Sequence, residues 1–332
     1  MKDMFNVSPS PHVFSEDSTT SIMRDVIIAL VPASVFGIYN FGIKALLMIL
    51  TCIVACLLTE YIYERAMKLP LTTGDLSAVV TGLLLGLNMP VNAPLWMGAV
   101  GGIFAILVIK MLFGGIGQNF MNPALGARVF LVISFGSTMS NFSVARLGIA
   151  APGITDYLTH GALAVDGITG ATPLTALKAG ESVNVLNMFL GNTGGAIGET
   201  STFALIIGGV YLIIKKVIKW TIPVSYLGSF VIFMAIFGGQ GLDPSFLLAH
   251  LCGGGLMIGA IFMATDYTTS PITDRGRVVY GIILGIMTGV FRVYSNSAEG
   301  VSYAIIFSNL LVPLIDKYVR PRTFGKGVKA YD

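Results

Sequence analysis

Two threonine hydroxyls, those of Thr169 and Thr172, stand among small residues in the polar stretch 166–180, which reads DGITGATPLTALKAG. A hydroxyl becomes a nucleophile when a base lies beside it, and Asp166 is the only carboxylate in this stretch. The stretch contains neither histidine nor cysteine, so these residues alone do not indicate a catalytic nucleophile. They favour a turn after which Thr172 caps a short helix that begins at Pro173.

A second polar cluster occupies residues 117–128, which read GQNFMNPALGAR and open an apolar run. It places Asn119 and Asn122 before Pro123, and it carries Arg128 about two turns further on. An arginine at that depth in a membrane is costly and faces the protein interior or a polar ligand. Arg128 could therefore satisfy backbone carbonyls or contact a ligand, and the sequence leaves both interpretations open.

The third cluster, residues 264–277 (ATDYTTSPITDRGR), abuts another apolar run and is rich in hydroxyl groups. Asp266 could cap a helix or pair with Arg275 or Arg277, while the hydroxyls could satisfy backbone groups freed at a helix end. A plain cytoplasmic loop would look similar.

The remaining ionisable and sulfur-containing residues in apolar runs indicate no further chemistry. His250 and Arg292 are single residues rather than a proton relay, so structural roles are favoured. Cys52, Cys56 and Cys252 have no metal-site spacing, and we predict that they are small buried residues without a metal or a disulfide. The sequence accordingly predicts no metal site.

The composition predicts the elements that must position these clusters. Of the 332 residues, 54% are hydrophobic and 11% charged, and the mean hydropathy is +0.81. Soluble domains carry about 25% charged residues. The apolar residues form windows long enough for helices of about 20 residues rather than the alternation of porin strands. We therefore predict an all-α integral membrane protein.

About ten spans are expected, at 22–39, 41–63, 75–89, 94–113, 119–135, 201–218, 222–238, 246–265, 276–294 and 301–318. With the amino terminus inside, the inner ends receive all but five of the 20 lysines and arginines, the five being Lys44, Arg128, Arg146, Lys178 and Arg292. Cytoplasmic loops retain such residues. We predict cytoplasmic tails at 1–21 and 319–332 and an extracytoplasmic loop at 136–200.

The two halves of the chain echo one another, which predicts two membrane repeats at 22–135 and 201–318. In each half an apolar run meets a polar stretch containing proline, LLLGLNMPVNAP in the first and LMIGAIFMATDYTTSP in the second. Five spans separate the copies, so they would be inverted relative to the membrane. Paired broken helices in inverted repeats mark central binding sites in transporters. Glycine rows such as Gly281, Gly285 and Gly289 predict close helix packing.

The pattern DGITGAT resembles the flavinylation motif of membrane redox complexes, in which a flavin transferase esterifies FMN through its phosphate onto the final threonine. The chain is similar to the family that contains the D subunits of Rnf complexes and the B subunits of sodium-pumping NADH:quinone oxidoreductases. SPSPHV at 8–13, NPALGARVF at 122–130 and ATDYTTSP at 264–271 extend the resemblance along nearly the whole chain.

The resemblance implies that Thr172 is the covalent FMN acceptor. The residues before it form the recognition sequence for the transferase: Asp166, Thr169, Gly170 and Ala171. Asp166 would be a recognition or metal-binding carboxylate during transfer, and Lys178 could offset the phosphodiester charge. We expect the acceptor hydroxyl to be exposed on a turn, with small neighbours that admit the flavin ring. The implied noncovalent riboflavin would lie at the polar breaks, near Asn119, Asn122, Arg128 and Asp266.

The resemblance also implies a function, a fold and partners. The chain would be an electron-transfer subunit of an ion-translocating ferredoxin:NAD+ oxidoreductase in the bacterial inner membrane, with a bundle resembling urea transporters. Its expected partners are the flavin-bearing G subunit, the membrane A and E subunits, the cytoplasmic B and C subunits, the transferase and membrane lipid. No nucleic-acid partner is expected.

Two alternatives remain open at the level of sequence. The B subunit of a sodium-pumping NADH:quinone oxidoreductase has a long cytoplasmic extension, whereas only about twenty residues precede the first span here, which favours the Rnf type. A flavin-free solute channel or transporter with the same bundle would explain the repeat and leave DGITGAT as a turn.

Overall fold

The protein's computed structural model describes residues 18–142, 172–178, 183–295 and 300–319. Over these ranges the regular structure is entirely helical and includes no strand, which confirms the all-α prediction for the described part of the chain. Asp166, Thr169, Gly170 and Ala171 of the recognition sequence lie outside these ranges.

The first half of the chain contributes six described helices. They are α1 (Thr19–Phe41), α2 (Ile43–Ala66), α3 (Ser77–Leu87), α4 (Leu95–Ile103), α5 (Pro123–Ser134) and α6 (Gly136–Met139). A π-helical segment, Phe104–Lys110, and a 3₁₀ turn, Met111–Phe113, continue α4. Two short helices follow in the segment that the sequence assigns to the large outer loop, α7 (Pro173–Lys178) and α8 (Val185–Leu190).

The second half begins with α9 (Thr202–Ile214) and α10 (Thr221–Phe237). The helix α11 (Pro244–Cys252) is followed after a bend by α12 (Leu256–Ile258), which a π-helical segment, Gly259–Met263, extends. The last two are α13 (Asp274–Tyr294) and α14 (Val301–Tyr318).

Several of these helices are long and apolar enough to cross a membrane. Four described helices qualify by themselves, Thr19–Phe41, Ile43–Ala66, Leu95–Phe113 and Asp274–Tyr294. The pair Pro244–Cys252 and Leu256–Met263, bent by 66°, would be a fifth. Shorter apolar helices, of 10 to 17 residues, occupy Ser77–Leu87, Pro123–Ser134, Thr202–Ile214 and Thr221–Phe237. Each of the ten predicted windows therefore coincides with a helix or with the bent pair, with edges that differ by a few residues.

The helix α13 packs closely on α10 through its glycine row. A Cβ atom on Gly281 would overlap the side chain of Ser225, and one on Gly285 would overlap Ser229 and approach the backbone nitrogen of Phe230 to 2.6 Å. Small residues allow helix backbones this approach. The prediction that the glycine row mediates close packing is confirmed here.

Residues at the ends of three helical segments contact one another. Asn122 caps α5, because its side-chain oxygen accepts from the backbone of Ala124 at 3.1 Å while Pro123 takes the first helical position. Asn88 follows the last residue of α3, and Met263 ends the π-helical segment after α12. The Asn122 amide donates to the Met263 carbonyl at 3.4 Å, which joins the two halves of the chain.

Candidate cofactor sites

The first candidate site, here called the inner pocket, lies beside the cap of α5. Its polar lining includes Asn119 and Asn122, the loop residues Asp266 and Thr268, and two further residues, Ser77 and Lys110. The apolar lining includes Leu84, Leu212 and Phe262. Concave sites lined mainly by apolar side chains, with a few convergent polar groups, are typical of small-molecule sites.

Hydrogen bonds fix the polar side of the inner pocket. The Asn119 amide donates to the Thr268 hydroxyl at 3.0 Å and to the Met121 carbonyl at 3.2 Å. Asp266 accepts from the hydroxyls of Thr268 at 2.9 Å and Thr269 at 3.2 Å. The structure thus brings together Asn119, Asn122 and Asp266, which the sequence singled out in two separate clusters.

Burial raises the pKa of the Asp266 carboxyl above its usual range, although the hydrogen bonds from the hydroxyl and backbone N–H of Thr268 act in the opposite direction. The suggested partner Arg277 does not contact Asp266. Its guanidinium pairs with Asp274 at 2.9 Å and donates to the Pro271 carbonyl at 3.1 Å. Of the alternatives that the sequence left open for Asp266, a pair with Arg277 is not formed, and the hydroxyls of the same loop donate to the carboxylate instead.

The sequence did not indicate a role for three residues in or beside the inner pocket: Glu60, Ser77 and Lys110. The Lys110 ammonium lies 2.7 Å from Glu60 Oε1 and 2.6 Å from Ser77 Oγ, and both charged side chains are buried. Glu60 and Lys110 belong to different apolar helices and lie 50 residues apart. The only sequence signal was the presence of single charges within long apolar windows.

Arg128 is buried and is not part of the lining of the inner pocket. Its Nη1 atom donates to the side-chain oxygen of Asn88 at 2.8 Å. A Cβ atom on Gly255 would lie 3.4 Å from that nitrogen and 3.3 Å from Glu199 Oε2, so Arg128 and Glu199 flank the same glycine. The Asn88 bond goes to a side-chain amide, whereas the sequence suggested backbone carbonyls or a ligand as partners.

The second candidate site, here called the outer cavity, contains Thr172. Glu199, Thr200, Gly253 and Gly254 share its wall, and the cavity is small. Thr172 is only 9% exposed, which corrects the expectation of an exposed hydroxyl. The physical reason is that Leu174, in the next turn, is buried against Gly253 at the bend after α11 and draws the start of α7 onto the bundle.

Local contacts confirm the predicted cap at Thr172. Its Oγ1 accepts from the backbone nitrogen of Thr175 at 3.4 Å and lies 3.3 Å from the Thr175 hydroxyl. At the other end of α7, the Lys178 ammonium donates to the Ser295 carbonyl at 2.7 Å. Burial, and then the positive charge of Arg292, lower the pKa of Lys178 below its usual range.

Arg292 closes the bend near the outer cavity. It donates to the carbonyls of His250 and Gly253, the latter at 2.8 Å, and stacks over Phe230 with 5.0 Å to the ring centroid. These carbonyls belong to the free end of α11, so Arg292 has the structural role that the sequence favoured. The cysteines Cys52, Cys56 and Cys252 are free, and the first two are buried.

This chain is similar to known proteins over nearly its whole length. A family model described as the NQR2, RnfD, RnfE family matches residues 6–325. The chain is 44% identical over 324 residues to the D subunit of the Na(+)-translocating ferredoxin:NAD(+) oxidoreductase complex of Acetobacterium woodii, with 96% of this chain and 95% of that protein covered.

Two further relatives match over a similar length. The D subunit of the proton-translocating ferredoxin:NAD(+) oxidoreductase complex of Clostridium ljungdahlii is 42% identical, with 98% of this chain and 97% of that protein covered. The D subunit of the ion-translocating oxidoreductase complex of Cronobacter sakazakii is 36% identical, with 97% and 99% covered. The similarity therefore includes both halves of the bundle and the segment between them.

Proposed function

The chain belongs to the NQR2, RnfD, RnfE family, and on that premise we propose that it is an electron-transfer subunit, of the D type, in an ion-translocating ferredoxin:NAD+ oxidoreductase complex. The observation that carries this proposal is the end-to-end similarity to D subunits of such complexes, at 36 to 44% identity. The motif DGITGAT at 166–172 adds a chemical reason, since it supplies a hydroxyl for a covalent flavin.

Covalent FMN is proposed on Thr172 through a phosphoester. A flavin anchored there would supply one- and two-electron transfer, while the protein would position it. The residues around Thr172 support an anchor, because Leu174 and the cap of α7 hold the threonine at a defined place on the bundle. The outer cavity is too small to hold such a group, so the ring would extend beyond it.

Noncovalent riboflavin is proposed in the inner pocket, and the support is its lining of apolar and polar side chains. Phe262 and Leu84 would form apolar walls for the tricyclic ring. The side chains of Asn119, Asn122 and Thr268 provide hydrogen-bonding groups for the polar edge of the ring. Asp266 orients the hydroxyl of Thr268 rather than leaving a bare carboxylate in the pocket.

The proposed membrane arrangement has ten crossings in two inverted halves, as in urea transporters, with both termini in the cytoplasm. Its support is that each predicted window coincides with a helix or bent pair. Thr172 would then lie on the extracytoplasmic side and the inner pocket nearer the cytoplasm. Electrons would pass between the flavin on Thr172 and the flavin-bearing G subunit, with the A, B, C and E subunits completing the complex.

The proposal is tested by in-gel flavin fluorescence of the denatured chain, purified from cells that produce the whole complex and the flavin transferase. The wild-type band should fluoresce and the Thr172→Ala band should not. Thr193→Ala is the matched control, because that hydroxyl lines the same cavity and is not the proposed acceptor. A dark wild-type band, or an equally bright Thr172→Ala band, would contradict the assignment.

A further inference from the structure

Lys110 is a buried cation at the wall of the inner pocket. It ends the π-helical segment Phe104–Lys110 and is 3% exposed. A second π-helical segment, Gly259–Met263, places Phe262 on the same pocket. Such π segments are rare and often occur at functional sites. The two π-helical segments thus bring a charged side chain and an aromatic side chain to the lining of the inner pocket.

The contacts of Lys110 leave one donor for a ligand. An ammonium group has three N–H donors. Two of them are directed to Glu60 Oε1 at 2.7 Å and Ser77 Oγ at 2.6 Å. The residues Ser77 and Lys110 both line the inner pocket, whereas Glu60 does not. Glu60 therefore contacts the ammonium from outside the pocket lining, and the contacts found among the described residues account for two of the three N–H groups.

The other carboxylates near Lys110 accept hydrogen bonds from other groups. Glu64 accepts from the backbone nitrogen of Thr72 at 3.1 Å, and Asp75 accepts from the Ser77 hydroxyl at 2.6 Å. The thiol of Cys56 is also near Lys110 and Glu60. Glu60 is thus the close carboxylate partner of the ammonium at the pocket wall.

We propose that Lys110 is a ligand-contacting residue of the inner pocket, whose third N–H donates to a carbonyl oxygen or ring nitrogen of a bound flavin. This inference rests on the noncovalent flavin proposed above. A flavin gains electron density on the N1–C2 carbonyl edge when it is reduced, so a fixed cation there would also favour the reduced ring. Glu60 and Ser77 act as positioning residues for the ammonium.

A purely structural role for Lys110, as the counter-ion of Glu60, makes a different prediction. If pairing were its only role, replacing both partners by neutral isosteres would leave flavin binding unchanged, because a buried ion pair can be exchanged for uncharged side chains at little cost. If Lys110 contacts the ligand, the double replacement still removes the positive charge that strengthens the bond to the ligand.

The test compares Lys110→Gln, the double variant Glu60→Gln/Lys110→Gln and the control Lys219→Gln in the purified complex. Lys219 forms an ion pair of the same 2.7 Å length with Asp274, but both side chains are more than half exposed. Riboflavin released by acid is measured relative to the covalent flavin of the same chain, and riboflavin is titrated into complex from which it has been removed. Redox titration gives the potential of the noncovalent flavin.

Both Lys110 variants should bind riboflavin about tenfold more weakly or worse, as expected for one lost hydrogen bond from a charged donor. Any flavin that remains should have a lower potential, and the covalent flavin should be unaffected. Wild-type affinity and potential in the double variant would overturn the proposal. Wild-type complex without releasable flavin would overturn the proposed riboflavin in this pocket and the role of Lys110 with it, while the flavin on Thr172 would stand.

Discussion

Asn122 connects helix capping to the inner pocket. Its side-chain oxygen caps α5, and its amide nitrogen donates across the bundle to the Met263 carbonyl at 3.4 Å. We predict that Asn122→Ala lowers the free energy of unfolding by about 1 kcal/mol or more, because the cap and the cross-bundle bond are both lost.

Asn122→Asp is the matched variant for this prediction, since it retains the capping oxygen and lacks the amide donor. Asn122→Asp should lower the free energy of unfolding by less than Asn122→Ala does. It should still weaken ligand binding in the inner pocket. Thermal unfolding of the complex in detergent measures the difference. Equal loss in the two variants would show that the cap does not contribute.

Asp266 gives a pH dependence of stability. Because burial raises the pKa of this carboxyl in the folded protein, its protonated form stabilises the fold at low pH. That stabilisation is lost as the pH rises from about 4, the unfolded value, through the raised folded value. Asp266→Asn removes the titrating group, so its melting temperature relative to wild type should increase between pH 4 and pH 8. A difference that stays constant over this range would contradict the prediction.

The close contact between α10 and α13 predicts that a methyl group added at Gly285 destabilises the protein. A Cβ atom on Gly285 would overlap the Ser229 side chain and the backbone of α10, and overpacking of this kind costs about 1–3 kcal/mol. Gly228 lies in α10 with no atom within 4 Å of the equivalent position. Gly285→Ala should therefore lower the melting temperature, whereas Gly228→Ala should leave it unchanged or raise it slightly. Equal effects would show that α13 does not approach α10 closely.

Helix positions could be predicted from the sequence because a sufficiently long apolar segment in a membrane forms a helix, in which the backbone hydrogen bonds are satisfied within the segment. The bend after α11 was missed, although Gly253, Gly254 and Gly255 stand in a row, because a window of hydropathy does not register a change of direction. The ion pair of Glu60 and Lys110 was missed for another reason. It joins two helices, and spacing along the chain holds no information about such pairs.

The burial of Thr172 could not be predicted from the sequence. The residue types and the proline predicted the cap and the start of α7 correctly. They did not predict that Leu174 would be buried beside Gly253, which brings Thr172 against the bundle. Contacts between a loop and a distant bend depend on the tertiary fold rather than on the motif.

At the scale of the whole molecule, the proposed topology can be tested with two exposed positions. Leu242 and Ile272 are 81% and 80% exposed and are predicted to lie on opposite sides of the membrane. In a Cys252→Ser background, Leu242→Cys should react with a membrane-impermeant maleimide added to intact cells. Ile272→Cys should react only after the membrane is opened. Labelling of both, or of Ile272→Cys alone, in intact cells would contradict the orientation.

Mass spectrometry of the peptide that contains Thr172 determines whether this threonine carries the proposed flavin. Trypsin cleaves after Arg146 and Lys178, and the peptide between them contains both Thr169 and Thr172. Fragment ions from protein made with its complex and transferase should place the mass of an FMN phosphoester on Thr172. An unmodified peptide, or a flavin located on Thr169, would contradict the account.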